Sequence, residues 1–466
     1  MTRRMHRTLL AALLSSGLAL ALPENGQVIQ GNVQIVQPQN HILQILQSSP
    51  TGIINWGSFN IDANQLVQFL QPGASSALLN RVIGQDPSQI LGQIQANGRI
   101  FLVNPNGILF GPGSSVNAGS FMATTLSIQD QDFIQGRYNF QQDPNSPLRA
   151  VVNQGEIRVT DGGFIALVSP LVDNQGLLVA QQGQVVLGAT TQATLQVDAR
   201  GLLQVSIPDG FQSHSQASAA TPQTVLLTQG QMSDTLAQLV RGGHPEGERI
   251  IETSQGIQLV GAEGLLVNQG TVQVDALQGP AGNVLMDSSQ ATVNTGSSLT
   301  SASSVVGDGG DIRVLSRGAA VQMGQLAVRS ESAGNGGFIE VSGRTVQLTQ
   351  APDLAASQGQ PGQLLIDPDI VHIVASGGDN PTFPVLGGDA PTNQSINAAA
   401  LDTAGAVRVE AQQDLFIDPG VAIVLTQLTE LTLEAINGNL NMEAGSSISA
   451  SNPATTVTLL AGNTAT

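Results

Sequence analysis

The sequence predicts an all-β chain wound into a parallel β-helix, a solenoid of short stacked strands. Three observations carry that expectation: a repeated glycine-led strand pattern, a recurrence interval of 20 to 28 residues, and Asn-Gln-Gly triplets between the strands. The strand segments are Gly163-Phe-Ile-Ala-Leu167, Gly183-Gln-Val-Val-Leu187, Gly282-Asn-Val-Leu-Met286, Gly310-Asp-Ile-Arg-Val314, Gly337-Phe-Ile-Glu-Val341 and Gly362-Gln-Leu-Leu-Ile366. In each, the second and fourth residues after glycine are apolar, while the first and third range from Phe to Asp, Arg and Glu. A period of two with one apolar face marks a strand with one side buried.

Gly163 and Gly183 lie 20 residues apart; Gly282, Gly310, Gly337 and Gly362 follow one another at 28, 27 and 25. Repeats of this length read as coils that each stack on the last. Helical solenoids fit poorly, because glycine and β-branched residues disfavour helix. The triplets begin Asn153-Gln-Gly-Glu-Ile157, Asn174-Gln-Gly-Leu-Leu178 and Asn268-Gln-Gly-Thr-Val272. They are expected at turns, where a positive φ favours Asn and Gly.

Residues Phe211 to Gln255 break the rhythm and are read as an excursion from the solenoid, a lid or hairpin. Within them Ser233 to Val240 reads as a short capped helix with Leu236, Leu239 and Val240 on one face. Ser376 to Thr392, rich in Gly, Pro and Asp, is expected to be a loop. Thr455 to Leu460 still reads as a strand, and an uncovered solenoid end is an aggregation hazard, so the natural chain is expected to continue.

The N-terminus has the form of a secretion signal over residues 1–21. Arg3, Arg4 and Arg7 make a positive region, Leu9 to Leu20 an apolar one, and Ala19-Leu20-Ala21 a small-x-small cleavage site, which places the mature N-terminus at Leu22. No run is long enough to span a bilayer as a helix. An apolar content of 41% in 466 residues provides for a sizeable core. Charge excludes other partners: 34 acidic residues against 16 basic ones, all Arg, give a formal −18, and phosphate binding needs clustered cations. Nucleic acid and anionic membranes are therefore not expected partners. The chain has no cysteine, which is unusual for an exported protein.

Ile100 to Val116, IFLVNPNGILFGPGSSV, sets two asparagines around a proline inside an apolar run. Buried amides without partners are costly, so Asn104 and Asn106 should bond something specific. A sharp corner supplies that role, with Pro105 presetting φ and Gly107 accepting a positive one.

Together with that corner, Leu22-Pro to Gly31, Ile54-Asn-Trp-Gly-Ser-Phe-Asn60, Phe69-Leu-Gln-Pro-Gly73, Leu79-Asn-Arg-Val82, Ser88-Gln-Ile-Leu-Gly92 and Asn104-Pro-Asn-Gly-Ile108 form an ordered series. The series resembles the N-terminal secretion domain of filamentous haemagglutinin and its relatives, the exoproteins of two-partner secretion in Gram-negative bacteria. Leu364-Leu-Ile-Asp-Pro368 is similar to a segment that commonly follows that domain. The resemblance implies a right-handed β-helix that crosses the outer membrane unfolded through a partner β-barrel transporter. It further implies that polypeptide-transport-associated domains of that barrel, in the periplasm, read the domain, and that surface folding helps drive export. Asn104, Pro105, Asn106, Gly107 and Ile108 are then the secretion motif. The family's second motif, Asn-Pro-Asn-Leu, is absent; the Asn-Gln-Gly turns occupy comparable territory.

The resulting division is a signal peptide at 1–21, a secretion domain at 22–290 with an excursion at 211–255, and continuing β-helix repeats at 291–466. An N-terminal cap is expected around Trp56, packed by Phe59, Ile61 and Leu66. No cofactor is expected. A β-helical carbohydrate-active enzyme is the alternative from another class, and it would need paired carboxylates converging on a groove. Asp367-Pro-Asp369 with His372 is the best local set, but Pro368 marks a turn. Gly307-Asp-Gly-Gly-Asp311 occurs once, whereas calcium-binding repeats need tandem copies. His6, His41, His214, His244 and His372 show no metal-ligand spacing. No catalytic residue and no metal ligand is assigned. The leading reading is a secreted, non-enzymatic exoprotein that serves adhesion or surface attachment, with a cell-surface or glycan receptor as a further partner. A stalk that delivers a toxic tip beyond Thr466 is the third.

Overall fold

The computed structural model describes residues 22–144, 146, 148–197, 203–206, 251–253, 256–258, 264–375 and 395–463. The signal segment, the 233–240 helix and the 376–392 loop expected from sequence lie outside the described residues.

Alternating side chains become three long sheets. They contain fourteen, twelve and ten strands, and nearly every pairing in them is parallel between successive coils. One coil illustrates the rest. Arg99–Val103 lies in the fourteen-stranded sheet, Ile108–Phe110 in the twelve-stranded sheet and Ser115–Ala118 in the ten-stranded sheet; Ser120–Thr124 then pairs in register with Arg99–Val103. This is the expected parallel β-helix. The two residues expected to point inward in each glycine-led segment do so: Ile165, Leu167, Val185, Leu187, Val284, Met286, Ile312, Val314, Ile339, Val341, Leu364 and Ile366 are all in one continuous core. Burying such columns supplies the main driving force for folding, about 25 cal/mol per Å² of apolar surface.

The N-terminal end is closed by reversed strands. Gln27–Gln30 pairs antiparallel with Thr51–Trp56, and Val33–Gln39 pairs antiparallel with Ile42–Gln47. Behind them Trp56 is buried edge-on to Phe59 at 5.6 Å between ring centroids. Ile61 packs there as expected, but Leu66 does not: it is half-buried, and Val67 beside it points into the core.

Two expectations are corrected. The Asn-Gln-Gly glycines do not have positive φ. Their requirement is close stacking: a Cβ at Gly176 would lie 2.1 Å from the carbonyl oxygen of Gly155, and one at Gly270 would lie 2.1 Å from that of Gly176. The excursion is also wider than 211–255. Gln184–Ala189 is the last strand in the solenoid before it, Gln192–Val197 already pairs antiparallel with Tyr138–Gln141, and the solenoid resumes at Leu265–Asn268 beside Leu171–Asn174. The strand-like alternation of 192–197 hides this departure, because a flap strand and a coil strand share one period. Ile251–Thr253 and Gly256–Gln258 form a small antiparallel pair.

An earlier excursion is not foreseen by the sequence analysis. Asp130–Ile134 is a short helix and Tyr138–Gln141 a strand, and with Gln192–Val197 they cover the outer face of the fourteen-stranded sheet. Phe101 projects outward beneath them, with ring centroids 5.2 Å from Phe133 and 4.8 Å from Tyr138. A second apolar cluster thus forms outside the coil, including Ile53, Leu79, Met122, Phe164, Val186 and Leu195. Among the described residues no helix is long and apolar enough to cross a membrane.

Candidate secretion motif

The motif turns the chain from Arg99–Val103 into Ile108–Phe110, and both side-chain amides at the bend are tied to the coil below. The Gly107 N–H donates to the Asn104 carbonyl at 3.1 Å, closing a turn with Pro105 and Asn106 at its centre. Gly107 takes φ 110°, the left-handed side that glycine tolerates. Asn104 is fully buried. Its Nδ2 donates to the Asp86 carbonyl at 3.0 Å and to Ser88 Oγ at 2.9 Å, while its Oδ1 accepts from the Asn106 N–H at 2.9 Å. Asn106 Nδ2 donates to the Gly84 carbonyl at 2.8 Å and to Asn104 Oδ1 at 3.1 Å. Ile108 begins the next strand in the core, paired with Ser88 on one side and Val151 on the other. The two amides therefore clamp the corner to Gly84–Ser88 in the preceding coil.

Other members of the ordered series are joined in the same way. Trp56 Nε1 donates to Asn80 Oδ1 at 3.1 Å inside the cap, and Asn60 Oδ1 accepts from the Gln89 N–H at 2.9 Å. Gln71 Nε2 donates to Gln47 Oε1 at 3.1 Å. Arg81 forms an ion pair with Asp130 at 2.7 Å and donates to the Ile128 carbonyl at 2.8 Å, which fastens the short-helix excursion to the first coils. Sequence reasoning quotes Arg81 but gives it no role, since its partner is 49 residues away on an element it does not foresee.

The Asn-Gln-Gly triplets prove to be a ladder. Asn153 Nδ2 donates to Asn174 Oδ1, Asn174 to Asn268 and Asn268 to Asn294, each at 2.9 Å; Asn294 then donates to Gln322 Oε1 at 2.8 Å. All four asparagines are fully buried. Beside this ladder lies Asp173, also fully buried; burial pushes its carboxyl up to about 7, against hydrogen bonds from Gln175 and Gln269.

The residues weighed for enzyme chemistry do not converge. Asp367 accepts from Gln412 Nε2 at 3.2 Å, whereas His372 Nδ1 meets Asp418 Oδ1 at 2.7 Å and its ring stacks on Phe416 at 4.7 Å. Asp308 accepts the Asn335 N–H at 2.7 Å, a turn bond between coils. No cluster of metal-ligating side chains occurs among the described residues. Of the proposed cleavage residues, Ala19 and Ala21 lie outside the described residues, and Leu22 packs into the core cap.

A parallel β-helix whose first coils are cross-linked by buried amides around an Asn-Pro-Asn-Gly corner is the architecture of a two-partner secretion domain. Residues 19–274, more than half of the chain, match the TPS secretion domain family, and the chain belongs to it. It is 39% identical over 108 residues to a heme/hemopexin-binding protein of Haemophilus influenzae, and 26% identical over 198 residues to filamentous hemagglutinin of Bordetella pertussis. Those matches cover 23% and 37% of this chain but only 12% and 5% of the relatives. The solved HMW1 secretion domain from Haemophilus influenzae superimposes with a TM-score of 0.55 at 20% identity, covering 94% of this chain and 100% of that one, and shows the shared fold. The family is one of secreted or surface-associated exoproteins.

Proposed function

We propose that this chain is exported across the outer membrane by a dedicated β-barrel transporter with periplasmic polypeptide-transport-associated domains, and that Asn104–Ile108 is the segment on which export depends. The observation that carries the reading is the internal satisfaction of the motif. The side-chain amides of Asn104 and Asn106 bond within their own coil and the one below, while the Asn104 N–H donates to the Thr124 carbonyl of the next coil, so in the folded state both residues are building parts of the first coils. A partner that reads these amides meets them before the corner forms. Folding at the surface then withdraws the segment from the partner and opposes backsliding.

On this reading residues 1–21 are removed at Ala19-Leu20-Ala21 after export to the periplasm, and the new N-terminus, Leu22, enters the cap. The first coils, within 22–290, act as export signal and folding nucleus; residues 291–466 extend the solenoid. The exported protein serves attachment at the cell surface or in the medium, a role supported by the name of the filamentous hemagglutinin it resembles and by the long, acidic, strand-built shaft.

The test is secretion of the Asn104→Ala, Asn106→Ala chain in a strain that carries the cognate barrel. Yield in the medium should fall severalfold while the periplasmic pool is degraded and signal cleavage persists, because the buried Asn104 donor and the half-buried Asn106 donor are lost at about 1 kcal/mol each. Unchanged yield removes the motif from the mechanism.

A further inference from the structure

The sequence contains five Asn–Gly pairs, at 25–26, 97–98, 106–107, 335–336 and 437–438. This pair is chemically labile in a flexible chain. The glycine nitrogen, having given its proton to hydroxide, attacks the asparagine Cγ; a new C–N bond forms, and the bond to the side-chain nitrogen breaks as that nitrogen takes a proton from water and leaves as ammonia, returning the hydroxide. Water then opens the five-membered succinimide at either carbonyl, giving aspartate or isoaspartate. Glycine favours the step because no β-carbon hinders the approach and its backbone reaches the required geometry freely. No redox partner is involved.

The folded corner blocks both ends of this reaction at Asn106. The attacking nitrogen is tied, since the Gly107 N–H donates to the Asn104 carbonyl at 3.1 Å. The leaving nitrogen is tied too, donating to the Gly84 carbonyl at 2.8 Å and to Asn104 Oδ1 at 3.1 Å. The product cannot replace it. Aspartate at 106 is acceptor-only and would face two acceptors, and isoaspartate would lengthen the main chain inside a closed turn. Asn335 provides the contrast: its hydrogen bond runs through Oδ1, which accepts the Gln360 N–H at 2.9 Å, and a carboxylate keeps that bond.

We propose that Asn106–Gly107 is a deamidation timer on the unfolded chain, a site that is chemically converted while the chain waits and that folding protects. A molecule that lingers unfolded loses the residue its first coils require, while one that folds promptly keeps it. The folding consequence follows from the corner alone; the consequence for export rests on the reading of Asn104–Ile108 as the secretion motif.

The experiment ages the full 466-residue chain at neutral pH, folded and in urea, and maps aspartate and isoaspartate at 106 and 335 by peptide mass spectrometry. Conversion at Asn106 should be slower by about tenfold or more in the folded chain, because it must await local opening. Refolding yield of the urea-aged chain should fall in step with total conversion at 106, while the aspartate product at 335 should leave it unchanged. The Asn106→Asp chain should refold poorly and the Asn335→Asp chain well. Equal conversion at 106 in both states, or native refolding yield of Asn106→Asp, overturns the timer. Unchanged secretion of the Asn104→Ala, Asn106→Ala chain overturns only its consequence for export.

Discussion

Asp173 shows how one side chain sets a pH response for the fold. Its carboxyl is raised to about 7 by burial, whereas in the unfolded chain it has the ordinary aspartate value of about 4. Between those values the folded state holds a proton that the unfolded state has released, so stability falls as pH rises through this window and stays lower above it. Replacing Asp173 by Asn removes the titration. Urea unfolding should therefore show the variant gaining on the native chain from about pH 4 to about pH 7, by an order of a few kcal/mol at the upper end and with no further gain above it. A native midpoint that does not vary with pH in that interval contradicts the buried carboxyl. At this scale the sequence is only half legible. The need of Asn104 for a partner can be read from chemistry, and the partners, Asp86 and Ser88, cannot, because which corner stacks beneath depends on the coil length.

At the scale of the strand, the alternation that predicts Ile339 inside and Glu340 outside is borne out: Ile339 is in the core and Glu340 pairs with Arg313 at 3.7 Å. A period-two pattern carries that information in full. The glycine that leads each strand carries something else. A Cβ at Gly183 would meet the Gly163 carbonyl oxygen at 2.0 Å, and the same contact recurs between Gly282 and Gly183, and between Gly310 and Gly282. These glycines form a column down one corner of the solenoid, each leaving room for the coil beneath. Gly183→Ala should lower stability by about 2 kcal/mol or more through forced separation of two coils. Gly73→Ala, where a Cβ has open space and φ is not left-handed, should be neutral or stabilise by about 0.5 kcal/mol. Equal melting shifts for the two would refute the column. The strands beneath the flap carry a mark of it in the sequence. Arg99–Val103 and Phe164–Ser169 are apolar almost without interruption, the mark of strands buried on both sides, and reading them only for alternation conceals the second cluster.

At the scale of the molecule, the lack of cysteine meets a geometry that would accept a disulfide. Leu167 pairs directly with Leu187 on the next coil, and parallel strands are about 4.8 Å apart, within the usual Cα separation of a bridge. A Leu167→Cys, Leu187→Cys chain that oxidises before transit would carry a closed loop wider than one extended strand. Its yield in the medium should drop well below that of either single variant and recover with a periplasm-permeant reductant. Full secretion of a disulfide-closed precursor would show that the chain need not thread unfolded. Repeat length and signal-like residues make the overall plan readable, while the excursions escape because their strands borrow the period of the coil. The amide ladder gives this plan a further property. Asn174 bonds to Asn268 across 94 positions in the same manner as Asn268 bonds to Asn294 across 26, so the stack continues as though the longer stretch had never been inserted. The ladder thus fixes which coils meet without regard to the length of chain that runs between them.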